Sequence, residues 1–90
     1  MTKSLVEMGK LGLSSLKELI NKPMEQVVSV VKDGQGWKVV VEALERRAVP
    51  NSQDLLGRYE LKFTAGGQLL NYRQVMLRHR IDLLNEEKSG

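Results

Sequence analysis

The stretch that decides the fold reads Gly36-Trp37-Lys38-Val39-Val40-Val41-Glu42-Ala43-Leu44-Glu45-Arg46-Arg47. It is answered, one loop later, by Arg58-Tyr59-Glu60-Leu61-Lys62-Phe63-Thr64. Side chains alternate between the two faces of a strand, so Trp37, Val39, Val41 and Ala43 share one side and Lys38, Val40, Glu42 and Leu44 the other. In the second segment Tyr59, Leu61 and Phe63 oppose Arg58, Glu60, Lys62 and Thr64. Two apolar faces of the same period predict two strands that bury a common side. Working outward, Asp33-Gly34-Gln35-Gly36 has hairpin chemistry. It is preceded by Val27, Val28, Val30 and Val31, which read as a β-branched strand over 26–32. On the other side Ala65-Gly66-Gly67 turns the chain into a fourth strand from Gln68 to about Leu77. The main loop runs from Ala48 to Gly57 and breaks at Pro50-Asn51-Ser52. Within it Asp54 is expected to cap a short turn through Leu55, Leu56 and Gly57.

Ahead of the strands, residues 4–20 carry a helical stripe: Leu5, Met8, Leu16, Leu19 and Ile20 fall in one sector, with Leu13 at its edge. Ser4 with Glu7 and Ser15 with Glu18 both write a capping box, so the helix has two candidate starts. Gly9, Gly12, Ser14 and Ser15 weaken the first half. The reading therefore places the helix over 14–20 and leaves the stretch before it open. Gly9 and Gly12 lie on the apolar side, where they permit close approach to a sheet. Asn21 suits a left-handed helix end and Pro23 a stop. At the far end, Ile81 to Leu84 reads as a short helix or an apolar tail, and Glu86 to Gly90 as a frayed terminus. The sum is an α+β fold in a single domain, 1–90: an N-terminal helix packed on a four-stranded antiparallel meander, with room for a short C-terminal helix.

Ninety residues allow one modest core. Fourteen Lys and Arg face eleven Asp and Glu, a net charge of +3; a dedicated nucleic-acid binder clusters its charge more strongly. The absence of cysteine excludes disulfides and thiolate zinc sites, and a single histidine excludes multi-histidine metal sites. No metal or other cofactor is expected. No apolar run approaches the roughly 18–20 residues of a membrane span. The N-terminus shows no signal-peptide core, so a cytoplasmic location is the expectation.

The residues that carry chemistry are polar groups on the sheet. Glu42, Glu45 and Glu60 could approach one another as paired carboxylates, which in some sites do acid–base work. The simpler reading pairs them with Lys38, Arg47, Lys62 or Arg73 across strands. Serines and the lone His79 lie in unrelated segments, so no nucleophile–base set is visible and no enzyme is expected. No helix follows Gly34-Gln35-Gly36 or Gly66-Gly67, as a phosphate-binding loop would require. The run Arg73, Arg78, His79, Arg80 beside Tyr72 is the best case for nucleic acid. Tyr59 and Phe63 fall on the core face, however, so Tyr72 alone is a poor stacking platform and nucleic acid is disfavoured. Charge guarding an edge strand is the alternative. Val40, Leu44, Val49, Leu55 and Met76, all off the core face, form an apolar group of the kind that marks a protein partner.

One set of spacings is more specific. Pro23 and Glu25 follow the helix, and Gly36-Trp37 opens the valine strand. Glu42 and Glu45 lead to Arg47 and Pro50, and Asp54, Leu56, Gly57, Tyr59 and Glu60 follow at fixed intervals. Gly66 or Gly67 then precedes Tyr72-Arg73. In these residues the chain resembles the gas vesicle protein O family over about 16–80. The family's Tyr- and Arg-rich ending is replaced here by Met76-Leu77-Arg78-His79-Arg80. The resemblance implies a non-enzymatic accessory role in gas vesicle formation, in the cytoplasm or at the vesicle. It would act through contacts with other gas vesicle proteins, shell or accessory. A small nucleic-acid-binding regulator of gas vesicle expression is the alternative. The second sheet face and the 47–57 loop are the expected partner surface, with Glu42, Glu45, Arg47, Asp54, Glu60, Tyr72 and Arg73 as its residues.

Overall fold

The computed structural model describes residues 4–82. Helix α1 spans Leu5–Ile20. It starts at the first of the two capping boxes: the Glu7 N–H donates to the Ser4 hydroxyl and the Ser4 N–H to the Glu7 carboxylate, each at 3.1 Å. The helix is therefore continuous, and Ser15 lies inside it rather than at its start. Tertiary packing overrides the weak propensity of its first half. The buried positions are Met8, Gly9, Gly12 and Leu16, and a methyl group added at Gly12 would stand 2.5 Å from Val39 Cγ1. The helix thus rests directly on the sheet at a residue without a side chain. Leu5 and Leu19, expected in the buried stripe, are 57% and 43% exposed. They sit in the end turns, whereas Met8 and Leu16 carry the fully buried contact and Leu13 and Ile20 pack partly buried against it. The helix ends as its sequence suggests. Asn21 adopts φ 51° and ψ 47°, its N–H bonded to the Lys17 carbonyl at 3.0 Å, and Pro23 cannot continue the turn.

Four strands follow: β1, Met24–Asp33; β2, Gly36–Arg46; β3, Leu55–Phe63; β4, Leu69–His79. They pair antiparallel in the order β1-β2-β3-β4. The two patterned segments meet in register, with Trp37 opposite Phe63, Val39 opposite Leu61, Val41 opposite Tyr59 and Ala43 opposite Gly57. This face joins Met8 and Leu16 in the core, and Trp37 is 4% exposed. Helix α1 packs on β1 and β2. One helix is about 10 Å wide and two strand spacings cover about the same width, so Tyr59, Leu61 and Phe63 of β3 still reach the core while β4 lies beside the helix, not under it.

The short turn expected through Leu55, Leu56 and Gly57 is not formed. Those residues belong to β3, and a single 3₁₀ turn covers Asn51–Gln53 instead, with Asp54 at its end. Burial decides the outcome. Leu56 pairs with Leu44 on the second face, and they are 0% and 5% exposed. Leu44 is consequently not part of an exposed apolar group. Both β-turns use glycine where the chain needs positive φ, Gly34 at +63° and Gly67 at +93°. A helical turn begins at Arg80 and is described to Asp82. The remainder of the expected C-terminal helix and the 86–90 terminus lie outside the described residues.

The helix seat yields a paired expectation. Gly12→Ala should destabilise the fold, because overpacking costs about 1–3 kcal/mol and outweighs the gain in helix propensity. Gly9→Ala, whose added methyl group would meet Val30 Cγ2 at 3.5 Å, should be neutral or stabilise by up to about 1 kcal/mol. Chemical denaturation of both variants checks this, and a Gly12→Ala protein as stable as Gly9→Ala would show that the helix does not rest on Val39.

Candidate functional site

The polar residues at the loop end of the sheet gather into three clusters. The first is built on a bulge. Pairing of β2 with β3 shifts between Leu44 and Arg46, which frees Glu45 from the alternation and lets it turn to the helix side. Its Oε1 accepts from Lys22 Nζ at 2.6 Å and its Oε2 from the Tyr59 hydroxyl at 2.6 Å. Gln74 Nε2 donates in turn to Tyr59 Oη at 3.2 Å. Gly57 makes the space: a Cβ there would lie 2.7 Å from Glu45 Oε2 and 2.9 Å from Gln74 Nε2. Burial, then the Glu45 carboxylate at its hydroxyl, pushes the Tyr59 pKa up to about 12. Residues from the helix end, β2 and β3 thus meet at one carboxylate, and β4 joins through the Tyr59 hydroxyl.

The second cluster lies on the opposite face. Glu42 is 1% exposed and receives Arg58 Nε and Gln26 Nε2, each at 3.2 Å. All three are cross-strand neighbours, so the register itself supplies the partners. The third cluster closes the loop. Asp54 Oδ1 accepts the Ala48 N–H at 2.8 Å, and its Oδ2 accepts Arg80 Nη2 at 3.2 Å. The Arg80 N–H donates to the Asp54 carbonyl, and the Arg80 guanidinium reaches Glu25 at 2.8 Å. One arginine past the last strand therefore ties the loop to the start of the first. The Ala48 N–H, with help from Arg80, holds the Asp54 carboxyl below its ordinary value, and Glu25 first, then Asp54, hold the Arg80 guanidinium further into its charged form.

These positions sort the residues singled out in the sequence. Glu42, Glu45 and Asp54 are bonded into the fold. Glu60 pairs with Arg73 at 3.7 Å, with Arg73 itself 73% exposed. Arg47 and Tyr72 face solvent. Glu42 and Glu60 share the second face while Glu45 points to the first, so the three do not converge as a carboxylate site. The run Arg73, Arg78, His79, Arg80 is not a continuous basic strip either: Arg80 is engaged with Glu25 and Asp54, and His79 stands 3.8 Å from Asp82. Tyr59, Lys22 and Gln74 are the residues that the sequence reading did not place in a polar site, and Arg80 was placed in the basic run rather than beside Asp54. Gly57 opposite Ala43, two residues from a tyrosine and across from a glutamate, was the available signal for the first of them.

At the other end of the sheet, a cleft of about 470 Å³ lies between the two turns, lined by Asp33, Gln35, Trp37, Lys62, Phe63 and Leu70 among others. Lys32 Nζ stands 4.6 Å over the Trp37 ring, a cation–π contact that fixes the indole. Among the described residues, no group of three or more His, Asp or Glu is placed to hold a metal ion, and no helix is long and apolar enough to cross a membrane.

The loop clamp gives a pH dependence of definite sign. The Asp54 carboxyl titrates lower in the folded than in the unfolded chain, whose value is about 3.9. Its stabilisation is therefore present above about pH 4 and lost as pH falls through the folded value. Asp54→Asn should be less stable than the parent at pH 7, and the gap should shrink below about pH 4. A gap that stays constant down to acid pH, measured by urea titration, would remove the Asp54 charge from the account.

With this geometry in place, comparison with known proteins assigns the chain. The family model described as gas vesicle synthesis protein GvpO matches residues 1–82. Gas vesicle protein O of Haloferax mediterranei is 39% identical over 72 residues, 79% of this chain and 51% of that protein. Gas vesicle protein O1 of Halobacterium salinarum is 34% identical over 71 residues, 79% of this chain and 59% of that protein. Gas vesicle protein O of a Streptomyces species is 39% identical over 62 residues, 69% of this chain and 48% of that protein. The matched part of the chain thus spans about half to three fifths of the length of these relatives. No solved structure matches it significantly. The clusters around Glu45, Glu42 and Asp54 are the internal framework of a domain that belongs to the gas vesicle synthesis protein GvpO family.

Proposed function

We propose that this domain acts as a non-enzymatic accessory factor in gas vesicle formation, in the cytoplasm at or near the vesicle, and that it works by binding other gas vesicle proteins. The family assignment supports the process. The observation that supports the mode of action is the distribution of exposed apolar side chains. Of eleven exposed large hydrophobic residues among the described residues, five lie on β4: Leu70, Tyr72, Val75, Met76 and Leu77. Apolar side chains concentrated on one element of a small domain favour a protein partner. The sequence pattern that looked like a partner surface divides accordingly. Glu42, Glu45 and Asp54 hold the fold, whereas Arg47, Tyr72 and Arg73, with Glu60 beneath Arg73, remain available for contact.

Complementation in a gas-vesicle-forming host, with the chromosomal copy deleted, tests this reading. The parent sequence should restore vesicles. The variant Arg47→Glu/Tyr72→Ala/Arg73→Glu should fold, as judged by its denaturation midpoint, yet lose vesicles while transcripts of the other vesicle genes stay level. A parallel fall in those transcripts would favour a nucleic-acid-binding regulator. Normal vesicles would place the partner surface elsewhere.

A further inference from the structure

We infer that β4 accepts an extended segment of a partner protein, rich in acidic and apolar residues, as a fifth strand of the sheet. The inference rests on the accessory-factor reading and names the surface and chemistry through which it works.

The sheet order makes β4 an edge, and β3 is the element that packs extensively against it. An edge strand offers a row of unpaired N–H and C=O groups that can template another chain. The opposite edge, β1, has α1 packed on one face and carries Glu25 and Asp33, which disfavour an acidic segment there. β4 is eleven residues long and nine of them are exposed. Its pairing with β3 skips two residues, Leu70 and Val75. Both are bulged, apolar and exposed, at 62% and 42%, so they stand where an added strand would cover them. Between the bulges Asn71 to Gln74 runs as regular ladder. Tyr72 and Leu77 extend the apolar surface on the face that the helix leaves open.

Charge selects the partner. β4 carries Arg73, Arg78 and His79 and not one carboxylate; Arg73 pairs with Glu60 on β3 and His79 stands near Asp82, yet Arg73 remains 73% exposed, and Lys62 on β3 lies directly opposite Asn71. An acidic segment is attracted and a basic one repelled. A second copy of the chain fits less well, because β4 against β4 would bring two pairs of arginines together with no carboxylate on either strand to offset them. Nucleic acid fits less well too, since Tyr72 is the single aromatic residue on the strand and Arg80 is held by Glu25 and Asp54.

Three synthetic ten-residue strand peptides test the proposal, alternating Val with Glu, Val with Lys and Val with Thr. Each is titrated into the purified protein with amide exchange followed by NMR. The Val-Glu peptide should slow exchange about tenfold at those β4 amides that point away from β3, and the Val-Lys peptide should not. Arg73→Glu should weaken the Val-Glu peptide roughly two- to fivefold, as reversal of one exposed charge would, and improve the Val-Lys peptide, with the protein still folded and its denaturation midpoint only slightly lowered, because the new carboxylate stands opposite Glu60. Equal response to all three peptides, protection away from β4, concentration-dependent dimerisation through β4, or tighter binding of single-stranded DNA each overturns the proposal. Failure here leaves the accessory-factor reading standing, because that depends on complementation by the parent sequence. If the parent does not restore vesicles, that reading fails whatever the peptides do.

Discussion

The structure depends on a carboxylate with nowhere else to go. Glu45 is displaced from the β2–β3 ladder by a bulge and closed in at 10% side-chain exposure. Its charge is offset by Lys22 and by the Tyr59 hydroxyl. Removing an ion from water is expensive unless hydrogen bonds replace the lost solvent, so the surrounding residues are constrained. Glycine at position 57 leaves room for the carboxylate where it stands, and Tyr59 supplies the donor. Gln74 satisfies the other side of that donor from β4, and Lys22 comes from the segment between α1 and β1. The segment after the helix and three strands are therefore linked by a chain of three hydrogen bonds through Glu45 and Tyr59, in a fold too small to rely on core burial alone.

The remaining polar clusters extend this economy to the edges of the sheet. Glu42 with Arg58 and Gln26 clips β1, β2 and β3 on the far face, and Arg80 with Asp54 and Glu25 closes the loop end. Each uses charged groups with few alternative partners, which makes the arrangement specific as well as stable. The effect is an asymmetric molecule. One end and one edge are tied internally, while β4, at the opposite edge, keeps its backbone and apolar side chains outward. Such asymmetry fits the binding role proposed above: the rigid part fixes the geometry of the exposed strand.

The sheet was legible because its period-two pattern is strong. Trp37, Val39 and Val41 against Tyr59, Leu61 and Phe63 leave little choice of face or neighbour, and glycines mark both hairpin turns. The N-terminal half of the helix was harder, because Gly9 and Gly12 look like weak points until the sheet is known to lie against them. The 54–57 segment misled for a related reason. Asp, Leu, Leu and Gly read locally as a capped turn, but Leu56 has a partner in Leu44 twelve residues earlier, and local propensity carries no information about that. The polar site was least visible. Glu45, Asp54 and Gly57 stood out by spacing, yet nothing local says that a bulge turns Glu45 toward the helix, or that an arginine beyond the last strand returns to meet Asp54. Long-range partners of single polar groups are set by the fold as a whole, and for this reason the bonds that Glu42, Glu45 and Asp54 make within the fold were not visible in the sequence.

A double-mutant cycle on Glu45 and Tyr59 measures the central contact directly. Glu45→Gln, Tyr59→Phe and the double variant would be compared with the parent by urea denaturation at neutral pH. A buried hydrogen bond to a charged acceptor predicts a coupling of about 1.5–3 kcal/mol. A coupling below about 0.5 kcal/mol, within the error of independent sites, would mean that the Glu45 carboxylate does not hold Tyr59, and that the register of the sheet is set by core packing without it.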